Sequence, residues 1–144
     1  MAGWFTHSLA AAFVLVLTSH SIAAAEVLKG PVKAALLRVI DGDTIEVRAR
    51  IWLGLDLTTR VRLWGIDAPE LDGVCHRERE MARAAKLLLE RSLSPTRVLN
   101  DIRHDKYGGR VVARVGTATV EDVGGVLTAA GLAIPYGSTA GWCR

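Results

Sequence analysis

A chain of 144 residues with a formal charge of +3 and a sequence pI near 9.2 has room for one domain. Its 18 Lys and Arg against 15 Asp and Glu permit a polyanionic partner without requiring one. Two cysteines and four scattered histidines lack zinc-ligand spacing and exclude a structural zinc module.

Met1 to Ala25 contains no Asp, Glu, Lys or Arg. Within it Leu9–Leu17 is apolar, Thr18–Ser21 is polar, and Ala23-Ala24-Ala25 supplies the small residues a signal peptidase needs. The segment reads as an export signal cleaved after Ala25, although its start offers only His7 as a basic group. The competing reading is an uncleaved N-terminal anchor, but the apolar run falls short of the about 20 residues that span a bilayer. Export predicts a periplasmic or secreted protein, residues 26–144, with no stable membrane span after cleavage. In that oxidising setting Cys75 and Cys143 pair as a disulfide, and closing so long a loop contributes roughly 3 to 4 kcal/mol in the chain-entropy model.

Along the mature chain, Ala34–Ile40 is an apolar run ending at the turn Asp41-Gly42-Asp43. Thr44–Arg48 then alternates with the period of a half-buried strand. Arg60–Ile66 alternates again, with Val61 and Leu63 on one side and Arg60, Arg62 and Trp64 on the other. It ends at Asp67-Ala68-Pro69-Glu70, where Pro69 stops a sheet interior. Met81, Ala84, Ala85, Leu88 and Leu89 recur at helical spacing, and Ser92 to Pro95 ends that helix. Thr96–Asn100 and Arg110–Gly116 predict two further strands around a polar loop. Val120, Val123, Val126, Leu127 and Ala130 predict a second helix capped by Gly131, with Gly124 and Gly125 inside it costing about 1 kcal/mol each. Five short strands, one helix after the third and one after the fifth, predict a β-rich α+β fold: a small Greek-key barrel with two packed helices.

Strand ends and hairpin tips are where a scaffold presents functional side chains. Asp41 and Asp43 stand at one such tip, Asp67 and Glu70 just past another, and clustered carboxylates suit a hard divalent cation. An EF-hand is excluded, because the ligands that should follow Asp41–Glu46 are missing. Arg62 precedes Asp67 by five residues and Arg110 follows a glycine turn; a guanidinium forks onto phosphate and keeps its charge at any working pH. A metal, a carboxylate able to take a proton from water and two arginines would suffice for phosphodiester hydrolysis. His104 beside Asp105 makes no dyad, since neighbours in a strand face opposite ways.

Three blocks carry a resemblance: Val39-Ile40-Asp41-Gly42-Asp43-Thr44, Arg62 to Glu70 (RLWGIDAPE), and Asp105-Lys106-Tyr107-Gly108-Gly109-Arg110. In order and spacing they resemble the signature of the staphylococcal-nuclease-like, or thermonuclease, family, and Gly131-Leu132-Ala133 is also similar. The resemblance runs from about Val32 to Tyr136. It implies a five-stranded OB-fold barrel and Ca²⁺-dependent cleavage of DNA and RNA that leaves 3′-phosphate ends, by a protein expected to be a monomer. It further implies that Asp43, Asp67 and the backbone carbonyl of Ala68 hold the metal, with Asp41 in its outer shell. Glu70 takes the place of the glutamate that positions or deprotonates water, Arg62 and Arg110 those of the phosphate-binding arginines, and Lys106 and Tyr107 those of a nucleotide-contacting pair. The commoner pattern has one glycine before the last arginine; here Gly108-Gly109 precede Arg110, an extra residue that either forms a bulge or re-aims the side chain. No third helix is expected after the second, and the Cys75–Cys143 bridge is expected to compensate.

A different class, a non-catalytic OB module binding single strands or a protein, would use exposed aromatics. Few aromatics are present, and none of the acids is missing.

Overall fold

In the computed structural model, residues 25–93 and 97–143 are described. Apart from Ala25, the predicted leader lies outside them, as do Ser94, Pro95 and Thr96. In chain order the elements are β1 (Val27–Leu28), β2 (Val32–Val39), β3 (Thr44–Trp52), β4 (Leu55–Leu63), β5 (Ile66–Asp67), α1 (His76–Ser92), β6 (Arg97–His104), β7 (Arg110–Thr117), α2 (Val123–Ala129) and β8 (Ile134–Pro135).

Five strands close into a barrel. β2 pairs with β3 and β3 with β4, all antiparallel; β4 runs parallel to β7, and β7 pairs with β6, which returns to β2. Closure gives each barrel strand a partner on both sides over part of its length and yields the expected OB-type, β-rich α+β fold with two helices. The period-2 pattern does the sorting: Ile45 and Val47, Val61 and Leu63, and Ala113 and Val115 all point inward and are at most 1% exposed. Burying each such Val, Leu or Ile stabilises the fold by roughly 1.5–3 kcal/mol. Ala82, Ala85 and Leu89 of α1 and Val123 and Leu127 of α2 are likewise buried, with α1 against α2 and β2.

Three local expectations need correcting. The segment 49–59 is strand on both sides of a turn at Leu53-Gly54, so β3 and β4 form one long hairpin instead of two separate short strands. The buried stripe of α1 is Glu78, Ala82, Ala85 and Leu89, whereas Ala84 is exposed and Met81 and Leu88 only half-buried. The stripe is turned because Glu78 is drawn inward: its Oε2 accepts from the Val74 amide at 3.1 Å, while Cys75 Sγ, at the N-cap, accepts from the Glu78 amide. α2 begins at Val123, because Asp122 caps it by accepting from Gly124 N–H at 3.0 Å. Val120 instead packs on the core from the preceding loop. Gly131, with φ +70°, ends the helix as expected.

Two features hold segments together outside the barrel pairing. A Cβ on Gly42 would stand 2.8 Å from the Cβ atoms of both Ala68 and Ala85, so the missing side chain lets the turn, the segment after β5 and α1 meet. Cys75 and Cys143 form a disulfide with Cα atoms 5.9 Å apart, closing a separation of 68 residues and tying the chain after β8 to the start of α1.

Urea unfolding checks both features. Replacing Cys75 and Cys143 together by Ser keeps an oxygen acceptor at the helix cap, and the expected loss is roughly 3 to 4 kcal/mol from the opened loop. Gly42→Ala is expected to cost about 1–3 kcal/mol by overpacking against two groups that cannot swing away; an unchanged midpoint would contradict the close approach.

Candidate active site

The site lies where β3 begins and β4 ends. Asp43 is the last residue of the β2–β3 loop and is almost fully buried. Asp41 Oδ1 accepts from its amide at 3.0 Å, which sets the turn. One carboxylate oxygen of Asp43 accepts from the Thr44 hydroxyl at 2.9 Å; the other accepts from the Ala68 amide at 3.1 Å. Asp43 thereby holds the chain just past β5 against the start of β3.

Arg62, on β4, reaches Asp43 Oδ2 at 3.2 Å and Asp67 Oδ1 at 2.5 Å with the same nitrogen, Nη2. Burial works against its charge, but Asp43, Asp67 and Asp105 together more than offset that, and its pKa rises. For Asp43 burial is the strongest influence and Asp41 adds to it; Arg62, the Ala68 amide and Thr44 oppose them without cancelling, so its carboxyl sits above the usual range. Glu70 is raised too, first by desolvation and then by Asp43, Asp41, Asp67 and Asp72.

A pocket of about 730 Å³ opens beside this cluster. Arg62, Asp67 and Glu70 line one side; Arg110, Lys106 and Tyr107 line another. The extra glycine does not turn Arg110 away. Gly109, with φ +79°, absorbs the longer turn, and Arg110 Nε donates to Asp105 Oδ2 while its guanidinium lies 4.8 Å from the Tyr107 ring centroid. Burial disfavours the Asp105 carboxylate, yet the hydrogen bonds from Arg110 and from the Lys106 and Tyr107 backbone outweigh it and hold its pKa low. Asp41, Asp43 and Ala68 do not line the pocket; Asp41 and Ala68 are bonded to Asp43, which meets the pocket wall through Arg62.

Three contributors escape a reading of the sequence. Asp105 orients Arg110 across the turn. Tyr136 forms a wall of the pocket because β8 pairs with β5 and its amide donates to Gly65 O at 3.0 Å; Arg62 and Lys106 approach its ring at 5.6 and 5.9 Å. Trp64 is braced by Arg103, 3.9 Å from its ring. Only the neighbouring Gly131-Leu132-Ala133 block pointed toward Tyr136, and nothing local pointed to the Trp64–Arg103 pair.

The donor set fits a hard cation. Two carboxylate oxygens from separate segments converge on one positively charged nitrogen, so the gap between them accepts positive charge, and all the nearby donors are oxygens. Among the described residues the one trio of His, Cys, Asp or Glu whose ligand atoms lie within 4.8 Å of one another is Cys75, Glu78 and Cys143. The two sulfurs of that trio are bonded to each other, so it is not a metal centre.

No curated protein matches the chain. The family described as "Staphylococcal nuclease homologue" matches residues 60–140, from the middle of β4 through the pocket-lining turn to the segment beyond Tyr136. The general kind of activity in that family is nuclease, hydrolysis of nucleic acid. With more than half of its length matched and the barrel closed as the resemblance implies, the chain belongs to the staphylococcal nuclease homologue family.

Proposed function

We propose that this protein is an exported, Ca²⁺-dependent nuclease that hydrolyses phosphodiester bonds of DNA and RNA, leaves 3′-phosphate ends, and works in the periplasm or outside the cell as a monomer. One observation carries the reading: Arg62 of β4, Arg110 of β7 and Glu70 of the loop after β5 open on a single aromatic-walled pocket beside the Asp43–Asp67 pair.

In this reading Arg62 and Arg110 grip the non-bridging phosphate oxygens and stabilise the charge that accumulates as phosphorus becomes five-coordinate. Asp105 keeps Arg110 aimed. Glu70 orients a water and accepts its proton as the water oxygen attacks phosphorus; the bond to the 5′ oxygen breaks, leaving the phosphate on the 3′ side. Tyr107, Lys106 and Tyr136 hold the adjoining nucleotide by stacking and charge. Calcium bound by Asp43, Asp67 and the Ala68 carbonyl, with Asp41 in the outer shell, would add Lewis-acid charge next to the phosphate. The leader reading of Met1–Ala25 supports export. Among the described residues no helix is long and apolar enough to cross a membrane.

Hydrolysis of single-stranded DNA under oxidising conditions tests the proposal. Cutting is expected with calcium and is expected to stop on chelation. Glu70→Gln and Arg62→Ala should each lower kcat by about 10²–10⁴, with Asp105→Asn giving a smaller loss. Tight oligonucleotide binding without cleavage in calcium would replace the nuclease with a binding module.

The raised Asp43 carboxyl sets a second expectation, in the difference in Tm between calcium and chelator. Without metal, a raised carboxyl favours the folded state below its ordinary unfolded pKa, and this contribution is lost as pH rises through the folded value. Calcium needs the ionised form, so its stabilisation, about 2.7 kcal/mol at a hundredfold excess over Kd, is full at neutral pH. The gap in Tm is expected to narrow as pH falls through the raised Asp43 range; a gap that is flat from neutral down to ordinary aspartate pH would exclude Asp43 as a ligand.

A further inference from the structure

At the end of the barrel opposite the pocket, β3 and β4 continue as a ribbon of two strands. β2 accompanies β3 only to the Ala34–Ala49 pair, and β7 meets β4 from Arg60 onward. Residues 50–59 therefore extend past both neighbours. An isolated two-stranded ribbon buries little and is marginal in water, so a polar surface is what physical chemistry would lead one to expect. The tip is instead Ile51-Trp52-Leu53-Gly54-Leu55, with Leu57 just behind. Leu53 is 89% and Trp52 73% exposed, and Ile51, Leu55 and Leu57 are exposed with them. Trp52 and Leu55 face each other across the turn. Scattered exposed apolar residues need no explanation; a contiguous group at a projecting tip does.

Behind the tip the charge changes. Lys33, Arg48, Arg50 and Arg97, with Asp56, line a groove of about 390 Å³ on the outside of β2, β3 and β6. Asp56 and Arg50 neutralise each other, so the net charge of the groove is the positive charge of Lys33, Arg48 and Arg97. Arg48 and Arg50 lie three to five residues from Leu53, roughly 10–16 Å along the strand. Apolar groups led by a tryptophan, followed at that depth by cations, reproduce the profile of a bilayer surface from acyl boundary to phosphate. Nucleic acid would satisfy the cations but offers nothing to an isoleucine and three leucines. A second copy meeting this one tip to tip would bring two basic grooves together.

We infer that the β3–β4 tip is a membrane-docking element that enters the interface of an anionic bilayer, with Lys33 and Arg48 of the groove on the headgroup phosphates. The pocket residues stand at the far ends of the same strands. Thr44 and Trp52 are eight steps apart, roughly 26 Å, so a docked molecule keeps its pocket open to a soluble polyanion.

Hydrogen exchange of the full chain, read at the amides of residues 51–57, tests this independently of any other lipid contact. Vesicles of equal phosphatidylglycerol and phosphatidylcholine are expected to slow exchange there, and phosphatidylcholine alone is not. Trp52→Ser with Leu53→Ser should weaken vesicle binding at the tip by about a hundredfold. Lys33→Glu with Arg48→Glu should weaken it by about fivefold per charge removed. Both pairs should leave cleavage of a short oligonucleotide unchanged. Unaltered exchange at 51–57 while vesicles are bound would overturn the proposal. So would protection at 51–57 that grows with protein concentration in the absence of lipid, which would assign the tip to a second copy.

Discussion

Arg62 Nη2 touches a carboxylate from the β2–β3 loop and another from β5, and much of the site follows from that shared nitrogen. Two buried or half-buried carboxylates held close together repel each other, and a folded chain must supply compensation or leave one protonated. Here the compensation comes from β4, whose inward neighbours Val61 and Leu63 are locked in the core. The guanidinium is thus carried on a rigid strand. Asp43 then hands the geometry on through the Ala68 amide, so the same ion cluster that neutralises the site also fixes where the chain turns toward Glu70.

Such a cluster adds little net stability. Desolvation of three ionic groups offsets most of their attraction, and the stability comes from the barrel core and the helices packed on it. The persistence of the cluster makes sense as positioning: removing Arg62 would leave Asp43 buried without its main counter-charge, so its loss would disturb fold and chemistry together. Asp105 and Arg110 repeat the arrangement on the opposite wall at smaller scale, one acid directing one arginine.

The legible parts of the molecule were those whose information is local. Val61 and Leu63 alternate with Arg60 and Arg62, so strand, inner face and the outward arginine could be read together, and Asp41-Gly42-Asp43 announces a turn by composition. The blocks RLWGIDAPE and DKYGGR sit at strand ends and in the turns beside them, and Arg62, Asp67, Glu70, Lys106, Tyr107 and Arg110 from them line one pocket. What stayed hidden depends on distant pairing. Tyr136 becomes a wall only because β8 finds β5, and Trp64 meets Arg103 only after β6 and β7 have closed the ring. The phase of α1 was misjudged because Glu78, a charged residue, is drawn inside by the bonds of the helix start. The arm from 49 to 59 offers no alternating buried face to read, because Ile51, Leu53, Leu55 and Leu57 are all exposed.

Closing a sheet on itself removes the unpaired rims along which proteins add foreign strands, the usual route to fibrous association. Aside from its two-residue strands, the described sheet keeps such rims where β2 leaves β6 after Ala34, where β7 leaves β4 after Ala113, and on the stretch past Ala49 and before Arg60. Of these rims the projecting one is a short arm, bent at Gly54 and crossed by the charged Arg50–Asp56 pair. Those two charges, set just behind a greasy turn, act as gatekeepers: an incoming backbone would have to bury or break an ion pair before it could add the next rung.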